Sequence, residues 1–62
     1  MNAVMRWYLN FRVSLLQNQI TMLQSVERSL WEHNDVERLH ATEQLREKKT
    51  QKMADILARL EE

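Results

Sequence analysis

Apolar side chains recur at heptad spacing through the first half of the chain. The six residues that form the repeat are Leu9, Val13, Leu16, Ile20, Leu23 and Leu30. Spacings of three and four place all six on one face of an α-helix, as the a and d positions of a coiled coil. We therefore predict a first helix over residues 3–32, and we assign these six side chains to an oligomer or partner interface.

A second apolar surface lies on another face of the same predicted helix. Val4, Trp7 and Phe11 fall away from the heptad face, so the first three turns are apolar almost all round. Residues 14–25 carry no charge, whereas a solvated helix face normally carries Lys and Glu, and interface cores are depleted of charge. We therefore interpret this uncharged segment as lying inside an assembly. The heptad face is also wide enough to contact more than one helix, which favours a helical bundle over a simple two-stranded coil.

The heptad pattern breaks after Leu30. Asn34 and Asp35 are both favourable N-cap residues, which predicts a turn at residues 33–35 and a second helix over residues 36–61. The alternative is one continuous coiled-coil helix of about 58 residues and about 87 Å. A continuous coil would bury Glu37 and Gln44 where the leucine repeat should continue, so we favour an all-α antiparallel hairpin.

The second predicted helix has a polar middle. Lys48, Lys49 and Lys52 lie there, between apolar residues at the two ends. We expect that this stretch cannot cover Leu16 and Ile20 in a fold-back structure. A second copy of the first helix would supply the missing cover, which predicts a homodimer with a four-helix bundle.

The size and composition of the chain also favour an oligomer. The chain has 62 residues, no Cys, Gly or Pro, and nine basic against nine acidic side chains. We treat residues 1–62 as one helical domain, too small to be very stable alone and without disulfides. Arg6 and Arg12 interrupt the apolar N-terminus, so we expect neither a signal peptide nor a transmembrane helix, and we expect a cytoplasmic protein.

Few residues suggest chemistry at an active site. The motifs that require Gly or Cys are absent, and a two-helix chain provides little room for a substrate pocket, so we expect no enzyme and no cofactor. His33, Glu37 and His40 have spacings that could share a helix face, but they span the predicted turn and lack a fourth ligand. We assign no metal.

The leading hypothesis is a small protein–protein interaction module, an adaptor, inhibitor or assembly subunit, that pairs with itself and with another protein. An alternative is an RNA- or DNA-binding dimer that uses the basic cluster Arg46, Lys48, Lys49 and Lys52. Interleaved Glu and Asp and the lack of nearby aromatic residues argue against a nucleic-acid partner. A second alternative is a membrane-surface anchor formed by the aromatic N-terminus, which two Arg side chains would hold only weakly.

Overall fold

The protein is an antiparallel hairpin of two long helices. The computed structural model describes residues 2–61, in which α1 spans Ala3–Glu32 and α2 spans Val36–Glu61. This confirms the predicted all-α hairpin and excludes the continuous helix. The chain measures 47 × 14 × 11 Å with a radius of gyration of 14.4 Å, against about 10.6 Å for a compact domain of this length. Such a rod leaves much of each helix uncovered.

The turn between the helices is a Schellman motif formed without glycine. The N–H of Asp35 donates to the carbonyl of Leu30 at 3.0 Å, and the N–H of Asn34 donates to the carbonyl of Trp31 at 3.2 Å. Asn34 has a φ of 57°, in the left-handed region that Asn tolerates better than most residues. Asn34 therefore ends α1 in the position that glycine usually occupies.

Each helix begins at a polar side chain that caps it. The Oδ1 atom of Asn2 accepts a hydrogen bond of 2.8 Å from the N–H of Met5, at the start of α1. The Oδ1 atom of Asp35 accepts one of 3.3 Å from the N–H of Arg38, at the start of α2. Of the two N-cap candidates in the turn, Asp35 is thus the cap and Asn34 is not.

The core lies at the open end of the hairpin, away from the turn. Leu9, Val13 and Leu16 of α1 are buried against Ile56 of α2, and Met53 and Leu60 pack against this cluster. The expectation that α2 cannot cover Leu16 is wrong, because Leu16 is only 8% exposed. Its cover comes from the apolar residues that follow the lysine-rich stretch.

An ion pair joins the two helices nearer the turn. The Nε atom of Arg46 donates to the Oε1 atom of Glu27 at 2.6 Å, and neither side chain is fully exposed. The hydrogen bond to Glu27 and the charge of its carboxylate raise the pKa of Arg46 above its ordinary value. This contact links α1 to α2 through side chains that are 19 positions apart in the sequence.

Candidate interaction surfaces

A stripe of exposed apolar side chains runs along α1, outside the seam between the helices. It consists of Val4, Trp7, Tyr8, Phe11, Leu15, Met22 and Val26, which are 45–76% exposed. At about 100° per residue, Phe11 lies about 160° round the helix from the buried Leu9, and Leu15 about 100° from Leu16. We call these seven residues the outer stripe. It extends the predicted second apolar surface of Val4, Trp7 and Phe11 toward the turn.

The N-terminal end of the outer stripe is aromatic. The rings of Trp7 and Phe11 stack at a centroid distance of 5.8 Å with an angle of 10° between their planes. Both residues remain exposed, so the stack presents a broad apolar surface to solvent instead of filling the core. Isolated exposed apolar residues are ordinary, but seven of them along one side of one helix exceed scattered exposure.

The six heptad residues assigned to a subunit interface face α2 of their own chain. Leu9, Val13 and Leu16 are buried there, and Ile20, Leu23 and Leu30 are partly buried. Because Leu9, Val13 and Leu16 are buried within the hairpin, they cannot also form a contact surface for a partner. Any partner of α1 has the outer stripe available instead.

The four residues of the predicted basic cluster do not form one surface. Arg46 faces the seam, where it pairs with Glu27. Lys49 and Lys52 line a groove on one flank of the hairpin, whereas Lys48 does not. The carboxylate of Glu27 thus balances the charge of Arg46 within the hairpin.

The flank groove combines a partly apolar floor with basic walls. Two adjoining hollows of about 370 and 220 Å³ share Arg12 and Lys52. Arg12 stands on α1, and Lys49, Lys52 and Arg59 stand on α2; Leu16 and Ile56 line the bottom. We call this concavity the basic groove.

Sequence reasoning missed the basic groove because its two walls are far apart along the chain. Arg12 and Arg59 come together only when the hairpin closes. The available signal was the register of the two apolar faces, which places the Arg12 end of α1 beside the Ile56 end of α2. In that register, the cations of the second half of α2 lie on the same flank of the hairpin as Arg12.

The histidines take part in local contacts near the turn. The Nδ1 atom of His33 lies 2.7 Å from the carbonyl oxygen of Ser29, and His40 lies 3.6 Å from the carboxylate of Glu43. Within residues 2–61, no group of three or more His, Cys, Asp or Glu side chains could hold a metal ion. His33, Glu37 and His40 thus remain separate.

Neither helix has the length and apolar character needed to cross a membrane, as far as residues 2–61 are concerned.

No protein-family model, curated protein or solved structure matches this chain.

Proposed function

We propose that this protein is a non-catalytic protein–protein interaction module that acts through the outer stripe of α1. The observation that carries the proposal is the length of the stripe, from Val4 to Val26, with its apolar side chains at helical spacing. These 22 residue steps correspond to about 33 Å at 1.5 Å per residue. A surface of that length and one helix width suits another helix better than a small molecule.

The first partner of the outer stripe is a second copy of the chain. Val4, Tyr8, Phe11, Leu15 and Met22 are separated by four, three, four and seven residues, which is heptad spacing. An antiparallel pair with its two-fold axis near Leu15 sets Val4 opposite Val26 and Tyr8 opposite Met22 of the second copy. In a parallel pair the two Arg12 side chains would lie at the same level and repel each other. The antiparallel arrangement separates them.

Such a pair is a four-helix assembly with the two α1 helices in the centre. The uncharged polar residues around Asn18 and Gln19 then fall within the contact, where charges would be costly. A different helix with the same heptad spacing would compete for the stripe. An adaptor, an inhibitor or an assembly subunit would bind a helix of its partner along the outer stripe.

Two tryptophans provide the matched test. Trp7 lies in the outer stripe and Trp31 outside it, and they are 67% and 72% exposed. We expect Trp7→Ser to weaken self-association about tenfold or more, because buried tryptophans dominate helical interfaces. Trp31→Ser should change it by less than about twofold, since it makes no contact in the proposed pair.

Sedimentation equilibrium over a wide concentration range gives both dissociation constants, and circular dichroism shows whether each variant keeps its helices. A parent protein that stays at the mass of one chain at the highest attainable concentration would contradict self-pairing. Equal losses in the two tryptophan variants would contradict the assignment to the outer stripe.

A further inference from the structure

We propose that the basic groove binds an acidic amphipathic helix of a partner protein. The occupant is inferred from the charge and shape of the groove, which differ from those of the outer stripe. The inference rests on the proposed function only in treating the hairpin as a protein-binding module. The two surfaces share Leu15, Gln19 and Met22, so self-pairing and peptide binding compete, and each has its own measurement.

The cations of the groove lack partners within the described chain. Six of the nine Lys and Arg side chains form no ion pair among residues 2–61, since only Arg28, Arg38 and Arg46 do. Four of those six line the groove, one from α1 and three from α2: Arg12, Lys49, Lys52 and Arg59. Unpaired like charges at one site favour an acidic ligand.

One acidic side chain stands at the rim and does not neutralise the groove. The Oδ1 atom of Asp55 accepts a hydrogen bond of 3.1 Å from the Nε2 atom of Gln51, on its own helix. Asp55 lines the wider hollow together with three of the cations. The net charge of the groove therefore stays positive.

The groove also offers apolar contacts along its length. Leu15, which is 46% exposed, borders it on α1, whereas Leu16 and Ile56 are almost fully buried and close its floor. A further hollow, lined by Met22, Leu23 and Leu45, adjoins it at Gln19 and Lys49. From Leu45 to Arg59 the surface extends about 21 Å along α2, at 1.5 Å per residue. A helix of about four turns fits that length, with leucine-like side chains toward the floor and carboxylates toward the walls.

Other polyanions fit the groove less well. None of the residues that line it is aromatic, so it offers no ring on which nucleic-acid bases could stack. A flat anionic bilayer cannot reach a concave floor. A second copy of α1 has no acidic residue before Glu27, and so it cannot complement the cations.

The test uses a synthetic peptide and a matched pair of arginine variants. The probe is a fluorescein-labelled peptide of about 16 residues with Leu at heptad a and d positions and Glu at most others. Its control carries Gln in place of Glu. Arg12→Glu reverses a charge in the groove, and Arg6→Glu makes the same change on the same helix away from it. Lys52→Glu tests the opposite wall, in case one variant misfolds.

Fluorescence anisotropy gives the affinities. We expect the acidic peptide to bind at least about tenfold more tightly than the Gln peptide, and Arg12→Glu and Lys52→Glu each to weaken binding about tenfold. Arg6→Glu should change it by less than about twofold, because its charge lies outside the contact. The anisotropy is measured at a protein concentration at which the single hairpin predominates, and sedimentation at higher concentration reads self-association, so either proposal can fail while the other stands.

Three results would overturn the assignment. The acidic peptide could bind no better than its Gln control, or Arg6→Glu could weaken it as much as Arg12→Glu does. Single-stranded oligouridylate or vesicles of anionic phospholipid could bind more tightly than the peptide and respond to the same groove variants. The last outcome would identify a nucleic-acid or lipid site instead.

Discussion

Replacing Leu9 with alanine should remove a large part of the stability of the hairpin. Leu9 is 4% exposed and belongs to the cluster with Val13, Leu16 and Ile56. Leu→Ala at buried sites costs about 2 to 5 kcal/mol, depending on how far the site collapses. A hairpin only two helices thick can close in readily, so we expect about 2 to 3 kcal/mol, in the lower part of that range.

This loss is large for so small a protein. At about 0.05–0.15 kcal/mol per residue, the whole chain has a free energy of unfolding of about 3 to 9 kcal/mol. A domain of this size loses about 4–8 °C of melting temperature per kcal/mol, which predicts a fall of about 8–24 °C for Leu9→Ala. Circular dichroism at the helical band, at one low protein concentration, measures the transition.

Leu15 provides the control, because Leu15→Ala makes the same change on the same helix at a side chain that is 46% exposed. In dilute protein it should cost less than about 1 kcal/mol, as exposed sites usually do. At high concentration it should also weaken self-association. Equal falls in melting temperature for both variants in dilute protein, or a fall below about 4 °C for Leu9→Ala, would refute the packing described here.

Changes at three further positions test the turn and the ion pair by thermal melting. Asn34→Val should destabilise the hairpin by about 1–2 kcal/mol and Asn34→Gly should not, because only the branched residue resists the left-handed conformation; equal melting temperatures would contradict this. Asp35→Ala should cost about 0.5–2 kcal/mol through loss of the α2 cap, and an unchanged melting temperature would show that the cap is dispensable. Glu27→Gln should lower the melting temperature more in low salt than in high salt, since screening weakens the contact with Arg46; a salt-independent effect would speak against an ionic origin.

The helices and their turn were predictable from local patterns in the sequence. The heptad leucines identify the face of α1 that packs, and the polar run after Leu30 locates the turn. The roles of Asn34 and Asp35 were not separable, because both residues suit an N-cap and only the backbone shows that Asn34 is left-handed. Local propensity does not distinguish the two ends of a short turn.

The surfaces were harder to predict because they depend on how the two helices meet. Leu16 was expected to lack cover, but residues beyond the lysine-rich stretch of α2 reach it, as Ile56 shows. Arg46 was grouped with neighbouring lysines. Its position around the axis of α2 places its side chain beside α1, where it pairs with Glu27. The wrong expectation for Leu16 came from treating the second helix as a uniform stretch, when each residue has its own position around the axis.

The emission of Trp7 tests most directly whether the outer stripe is the surface that becomes covered. In protein carrying Trp31→Phe, Trp7 is the remaining tryptophan, and it is exposed in the single hairpin. As concentration rises, we expect its emission to shift to the blue and its quenching by acrylamide to fall, in step with the doubling of mass seen by sedimentation. A doubling of mass with no change in Trp7 emission or quenching would contradict the proposal that the outer stripe forms the interface.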